Sequence, residues 1–127
     1  MRRRAFDAAE APAPAGGYAQ AVEIAGASRI LHVSGQIPVA LDGTLPEGFA
    51  PQARLAWTNL LAQLKAAGMG VENIVKVTIY LASRDHAMEN RTVRREFLGE
   101  HKCAMTVVIA GIFDEAWLLE IEAVAAA

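Results

Sequence analysis

The sequence has a single cysteine, Cys103, and only three histidines among its 127 residues. One cysteine cannot form a disulfide within the chain, which argues against a disulfide-stapled secreted scaffold and favours a reducing, cytoplasmic compartment. His32, His86 and His101 have no histidine or cysteine partner at the spacing of metal ligands. The sequence therefore predicts no metal site.

Positive charge and long apolar runs are scarce as well. The chain carries 12 lysines and arginines against 14 aspartates and glutamates, and its arginines stand three in a row only at residues 2–4. Nucleic-acid binding requires a concentrated basic surface, so we expect no nucleic-acid partner. No apolar run reaches the length of a membrane span, and Asp7 and Glu10 stand where the apolar part of an export signal would begin. We therefore expect no membrane partner either.

Aromatic residues make up only 6% of the chain, whereas hydrophobic residues make up 54%. The core must therefore consist mainly of aliphatic side chains, and so apolar a composition in a short chain indicates buried contacts between subunits. The length is that of one domain. Two prolines and two glycines before residue 18 favour irregular structure. We predict a flexible N-terminal arm over residues 1–16 and a single domain over residues 17–127.

The periodicity of apolar residues predicts strands where it is two and helices where it is three to four. The predicted elements are strands over 18–24 and 29–34, a helix over 51–67, a strand over 73–81, a helix over 86–98, and strands over 103–113 and 117–124. In the second helix, the spacing places Met88 in the apolar stripe and Arg94 on the solvent face. This order of elements predicts an α+β fold, in which a mixed β-sheet packs against two helices.

The last predicted strand carries two carboxylates in an otherwise apolar run. Because residues i and i+2 share a face of a strand, Glu120 and Glu122 point the same way, while Leu119, Ile121 and Ala123 point the other way. Such a pair either faces water or a neighbouring arginine, or places one carboxylate in an apolar cleft where it handles protons or orients a water molecule. The second alternative is a candidate catalytic site.

Four segments in order resemble the YjgF superfamily, which includes the RidA enamine/imine deaminases. They are Gly-Tyr-Ala-Gln-Ala-Val at 17–22, Val-Ser-Gly-Gln-Ile-Pro at 33–38, Asn-Ile-Val-Lys-Val-Thr-Ile-Tyr-Leu at 73–81 and Glu-Ile-Glu-Ala-Val-Ala at 120–125. The resemblance extends over residues 16–126. It implies a chorismate-mutase-like fold and a homotrimer with active sites in the clefts between subunits.

The resemblance also implies an activity. RidA deaminases hydrolyse a small enamine or imine acid to a keto acid and ammonia, and they need neither a metal nor a cofactor. Carried over by motif position, Tyr18 lines the cleft, the backbone of Gly35 contacts the substrate, and Glu120 positions or activates water. Asn90 matches an asparagine that is frequent in helix two of the family, and we expect a structural role for it.

One position departs from the family. The deaminases carry Pro-x-Arg-Ser/Thr at the start of the penultimate strand, but this chain has Cys-Ala-Met-Thr at 103–106. Met105 therefore stands in place of the arginine that grips the substrate carboxylate. Such a contact contributes about 1.5 to 3 kcal/mol, and a thioether supplies neither its charge nor its fork of donors.

Two explanations of this departure remain open. Another arginine takes over the contact, and the candidates are Arg29, Arg91, Arg94 and Arg95. Alternatively, the ligand is neutral, apolar or cationic, and Met105, Cys103 and Trp117 offer it a soft surface. We accordingly hold two hypotheses, a deaminase-like hydrolase and a non-catalytic trimeric protein that binds a small molecule. Ribonuclease activity, which some family names carry, is not favoured because no basic groove with interleaved aromatics is visible.

Cys103 itself has two interpretations. His101 and Lys102 stand next to it in sequence and would lower the pKa of its thiol if they faced it. A small cysteine at the start of a strand is more typically a buried structural residue, and this second interpretation is the one that we favour.

Overall fold

The fold contains six strands and two helices, and the computed structural model describes all residues 1–127. In chain order the elements are β1 (Arg2–Phe6), β2 (Ala21–Ala25), β3 (Ile30–Gln36), α1 (Phe49–Ala66), β4 (Ile74–Leu81), α2 (Ala87–Leu98), β5 (Ala104–Ile109) and β6 (Leu119–Ala126). The predicted mixed α+β fold with two helices is confirmed. Neither helix combines the length and the apolar character that crossing a membrane requires.

The main sheet has four strands in the order β3-β6-β4-β5. Strand β6 pairs antiparallel with both β3 and β4, whereas β4 and β5 run parallel. The parallel pair requires a crossover, which α2 provides. Strand β6 is therefore central and is hydrogen-bonded along both of its edges.

The structure of the N-terminal residues differs from the prediction. We expected an irregular, flexible arm, but residues 2–6 form strand β1, which pairs antiparallel with β2. The pairing is not local in sequence, and three consecutive arginines hide the alternation that would indicate a strand. The strand predicted over 18–24 begins only at Ala21, because Ala19 instead forms a bridge to Ala104 of strand β5. Residues 7–17 form no helix or strand.

The core lies between one face of the four-stranded sheet and the two helices. Helix α1 contributes Trp57, Leu60 and Leu64, which are fully buried as their spacing predicted. The indole of Trp57 stacks on Phe97 of α2, with ring centroids 5.8 Å apart. The other face of the sheet carries no helix, so its side chains are only partly covered.

Helix α2 packs differently from its prediction. Met88 is 75% exposed and Arg94 only 8% exposed, so the predicted places of both residues are wrong. The buried face consists of Asn90, Val93, Arg94 and Leu98, which share the spacing of one helical stripe. Because two of these four side chains are polar, a search for apolar periodicity could not find the stripe.

Gln52 ties α1 to two loops. Its side chain is buried, its Nε2 donates to the carbonyls of Pro46 and Ala116, and its Oε1 accepts a hydrogen bond from the backbone N–H of Leu118. The segment between β5 and β6 is thereby fixed against the helix, next to the start of the carboxylate-bearing strand.

We expect Gln52→Leu to lower the free energy of unfolding by about 3 kcal/mol, because it removes three hydrogen bonds and leaves their backbone partners without a substitute. Urea unfolding followed by tryptophan fluorescence measures the change. Gln63→Leu, at an exposed position of the same helix, is the control and should change stability by no more than about 0.5 kcal/mol. Equal losses in the two variants would contradict the anchoring role of Gln52.

Candidate functional site

The two glutamates of β6 lie on the face of the sheet that the helices leave open. Leu119, Ile121 and Ala123 are buried in the core, as predicted, and the glutamates between them are half-buried on the other side. Glu120 pairs in register with Tyr80. The geometry of β6 therefore brings both carboxylates to one surface.

The two carboxylates differ in their partners. The hydroxyl of Tyr80 donates to Glu122 Oε1 over 2.6 Å, and this hydrogen bond, with some burial, raises the pKa of Tyr80. Tyr80 thus remains protonated at neutral pH, and its hydroxyl stays hydrogen-bonded to the Glu122 carboxylate. Glu120 has no ion-pair partner, because the one salt bridge of the chain joins Arg54 to Glu96. Glu120 is the carboxylate that is free to act on a ligand.

Gly35 makes room for this carboxylate. A Cβ atom at residue 35 would lie 1.8 Å from Glu120 Oε2, so any side chain there would force the carboxylate to move. The requirement is for space and not for an unusual backbone conformation, since Gly35 does not have a positive φ. The pairing of β3 with β6 shifts register between Val33 and Gln36, at this same point. The Glu120 carboxylate therefore lies directly against the backbone of strand β3.

A shallow cavity of about 250 Å³ surrounds the two carboxylates. We call it the acidic cavity. Its lining consists of Gly35, Tyr80, Gly111, Ile112, Phe113, Glu120 and Glu122. The ring of Phe113 is 95% exposed and stands at the rim. The cavity offers one free carboxylate, a tyrosine and an apolar edge, which suit a general base that works on water beside a small organic molecule.

Tyr18 and Met105 meet elsewhere, in a second cavity of about 320 Å³ beside helix α2. We call it the basic cavity, because two arginines and no carboxylate line it. Its lining consists of Ala15, Tyr18, Leu81, Ala87, Asn90, Arg91, Arg94, Met105 and Val107. The structure thus brings Tyr18 together with Met105, and Gly35 together with Glu120.

The two pairs lie on opposite faces of the sheet. Met105 is in register with Val77 in the parallel β4–β5 pair, so both side chains point to the helix side, and Met105 packs against the core. Glu120 is in register with Tyr80, on the open side. Within one chain, no ligand can touch Met105 and Glu120 at once.

Cys103 and Trp117 line neither cavity. The thiol of Cys103 is fully buried in the core, and burial raises its pKa to about 11. This contradicts an activated thiol and agrees with the interpretation of a buried structural cysteine. Trp117 is half-buried and tilts against Phe113, with centroids 6.5 Å apart. Its predicted contact with a ligand is not seen within one chain.

The four candidate arginines occupy different places. Arg29 Nη1 donates to the carbonyl of Ala67 at the end of α1 over 2.9 Å, and Arg95 does not line the basic cavity. Arg91 and Arg94 do line it, and of these two only Arg94 is buried. Burial, and after it the charge of Arg91, lowers the pKa of Arg94. A guanidinium nonetheless stays charged at neutral pH.

No three histidine, cysteine, aspartate or glutamate side chains come together in a group that could hold a metal ion. His101 Nε2 contacts the carbonyl of Ile74 over 2.8 Å, and His86 stacks on Phe49 with ring centroids 4.6 Å apart. Both rings thus have structural contacts.

The helices pack on one face of a mixed sheet and the free carboxylate lies on the other, and these features define a small α+β protein with a candidate site at Glu120. The family model described as Endoribonuclease L-PSP matches residues 8–127. The chain belongs to this family, which is the YjgF/RidA family. The resemblance found in the sequence and the fold that it implied are both confirmed.

Two relatives and one solved structure show how far the similarity extends. A RutC family protein of Pyrococcus horikoshii is 35% identical over 117 residues, which cover 91% of this chain and 90% of that protein. The 2-iminobutanoate/2-iminopropanoate deaminase of Bos taurus is 33% identical over 126 residues, or 97% of this chain and 89% of the relative. The crystal structure of E. coli TdcF with bound serine has a TM-score of 0.74 and 30% identity, with 98% of each chain covered.

We expect Cys103 in the folded protein to resist thiol-disulfide reagents at mildly alkaline pH, because the reactive thiolate does not form until the pH approaches 11. Release of the chromophore from a dithiobis-nitrobenzoate reagent measures the reaction. The same protein unfolded in guanidinium chloride is the control and should react with one equivalent. Rapid reaction of the native protein would contradict the burial of the thiol.

The raised pKa also has a consequence for stability. Between the ordinary thiol pKa of 9.0 and the folded value of about 11, the unfolded chain loses a proton that the native chain keeps. Stability should therefore fall as the pH rises through this interval, and Cys103→Ala should show a shallower fall. Urea unfolding of both proteins across the interval measures the difference, and parallel curves would contradict it.

Proposed function

We propose that this protein is a RidA-like hydrolase of the enamine/imine deaminase type, which adds water to a C=N bond and releases ammonia. The observation that carries the proposal is the free carboxylate of Glu120, which lies against Gly35 in the acidic cavity. The name of the Bos taurus relative, 2-iminobutanoate/2-iminopropanoate deaminase, supports the reaction class.

Hydrolysis of a C=N bond needs one group that acts first as a base and then as an acid. Glu120 accepts a proton from a water molecule as the oxygen attacks the imine carbon, and the carboxyl group passes this proton to nitrogen, which gives a tetrahedral amino alcohol. The carboxylate then takes the hydroxyl proton of the amino alcohol and delivers it to nitrogen as the C–N bond breaks. Ammonia leaves, and the carbon becomes a carbonyl. An enamine first takes a proton on carbon and becomes the imine. Glu122 does not compete for these protons because Tyr80 occupies it.

We further propose that the working site forms between copies of this chain in a homotrimer. Val107, Val108 and Ile109 of the edge strand β5 are 41%, 37% and 39% exposed. Exposed apolar residues on an unpaired sheet edge are typical of an interface. A neighbouring copy seated there would place the basic cavity of one chain beside the acidic cavity of the next, which one chain cannot do.

A second candidate function is a trimeric protein that binds a small molecule without turning it over. Met105 favours it, because this residue removes the arginine that the resemblance implies at the position. We place either function in the cytoplasm, since the single cysteine is unpaired and suits a reducing compartment.

Glu120→Gln should lower kcat for ammonia release from freshly generated 2-iminopropanoate by at least about 100-fold, because the amide cannot accept the proton. Gly35→Ala should cause a similar loss, since its Cβ displaces the same carboxylate. Coupled detection of ammonia measures both variants.

Glu23→Gln is the control for this experiment, because Glu23 is exposed on β2 and lines neither cavity. It should keep the wild-type rate. A wild-type protein without activity would favour the binding protein over the hydrolase, and full activity of Glu120→Gln would remove Glu120 from the mechanism.

The wild-type protein should sediment as a trimer at micromolar concentration. Val108→Lys should dissociate it and abolish ammonia release, because the substitution buries an unpaired charge in the proposed interface. Leu41→Lys is the control, since Leu41 is fully exposed in a loop. A monomer with undiminished activity would refute the site between subunits.

A further inference from the structure

Arg94 is a buried cation without a counterion. The residue is 8% exposed, and its Nη2 donates to the carbonyl of Gly16 over 3.3 Å. The one salt bridge of the chain lies elsewhere, between Arg54 and Glu96. Burying a charged group is costly unless it is paired, and Arg91 beside it adds repulsion. The charge of Arg94 is thus uncompensated within the chain.

The surroundings of Arg94 are arranged as a receptor for an anion. Arg94 lines the basic cavity, which has no aspartate or glutamate in its wall. Asn90, in the same wall, is 2% exposed, and its Oδ1 has no hydrogen-bond partner. Buried polar atoms in folded proteins are nearly always paired. The Arg94 guanidinium therefore lacks an anion, whereas the Asn90 oxygen, which only accepts, lacks an N–H or O–H donor that another part of the same ligand could supply.

The other walls indicate the size and character of that ligand. Leu81, Met105 and Val107 give the basic cavity an apolar side. The volume of about 320 Å³ is at the small end of ligand sites. A planar guanidinium matches a carboxylate with two parallel hydrogen bonds. A small organic acid fits these walls, with its carboxylate at the arginines and its carbon chain at Met105.

We propose that Arg94, assisted by Arg91, is the carboxylate anchor of this protein and takes over from helix α2 the contact that Met105 cannot make from strand β5. The natural substrates are then imines or enamines of small carboxylic acids, and not neutral compounds. The substrate class rests on the proposed function, whereas the anion site itself rests only on the basic cavity.

Binding of a stable acid tests the site without any catalysis. The probe is 2-oxobutanoate, titrated into the full chain in its native assembly and followed through the backbone amide resonances. 2-Butanone, which has the same carbon chain without the carboxylate, is the neutral comparison. We expect Arg94→Met to weaken 2-oxobutanoate binding by at least about 10-fold and to leave 2-butanone binding unchanged.

Arg29→Met is the matched control variant. Like Arg94, Arg29 donates one hydrogen bond to a backbone carbonyl, here that of Ala67, but it does not line the basic cavity. The control removes the same charge and the same kind of contact, so it should bind 2-oxobutanoate as the wild type does. Equal weakening in both variants, or loss of both ligands in Arg94→Met, would overturn the anchor and assign Arg94 a structural role.

A second variant moves the guanidinium within the cavity. The double change Arg94→Met with Met105→Arg places it on strand β5, where it cannot replace the contact of Arg94 with Gly16. Recovery of 2-oxobutanoate binding to within a few-fold of the wild type is expected. A folded double variant that stays as weak as Arg94→Met would overturn the assignment.

Kinetics and binding together distinguish a failure of the proposed anion site from a failure of the proposed hydrolase activity. If both hold, Arg94→Met raises KM for 2-iminopropanoate by at least about 10-fold and changes kcat less, because the lost contact is made in the ground state and the transition state alike. A wild-type protein that binds 2-oxobutanoate through Arg94 but releases no ammonia refutes the hydrolase and keeps the anion site. Ammonia release with an unchanged KM in Arg94→Met refutes the anion site and keeps the hydrolase.

Discussion

The alternation of β6 is the constraint on which the rest of the structure depends. Because the strand is central and paired on both sides, its register is fixed by two neighbours at once. A shift of one residue would turn Glu120 and Glu122 into the core and Leu119 and Ile121 out of it. Burying two carboxylates without partners costs far more than the sheet gains, so one arrangement is selected. The register that buries Leu119 and Ile121 in the core therefore also places Glu120 and Glu122 together on the open face.

This constraint divides the functional residues between two faces. A sheet is one layer thick, and its core side is filled by α1 and α2, so no movement of side chains can bring Met105 round to Glu120. Strand pairing with β4 fixes Met105 beside Val77 and Glu120 beside Tyr80. A reaction that uses both cavities must therefore use two chains. If the proposed hydrolase and trimer hold, assembly is a condition of catalysis, and the apolar residues exposed along β5 are the surface that assembly would cover.

Local periodicity made part of the structure predictable from the sequence. The face of Glu120, the buried row of α1 around Trp57, and the order of helices and strands from residue 29 onward could all be predicted, because each depends on the spacing of apolar side chains. Strand β1 was missed, because its partner is β2 and pairing between separate segments leaves no local pattern. The burial of Arg94 was missed for a related reason: a long cationic side chain is expected in water, and only the packing of α2 against the sheet shows otherwise.

The distribution of charge favours one of the two explanations for Met105. If the ligand had become neutral or cationic, the cavity around Met105 would need no positive charge, and a buried arginine there would only cost stability. Instead Arg94 and Arg91 line that cavity and no acidic side chain balances them. In the proposed trimer, a molecule with a carboxylate at one end and a C=N carbon at the other would neutralise Arg94 and present its reactive end to Glu120 of a neighbouring chain. On this proposal the arginine has moved from strand to helix, and the cavity still selects a carboxylate.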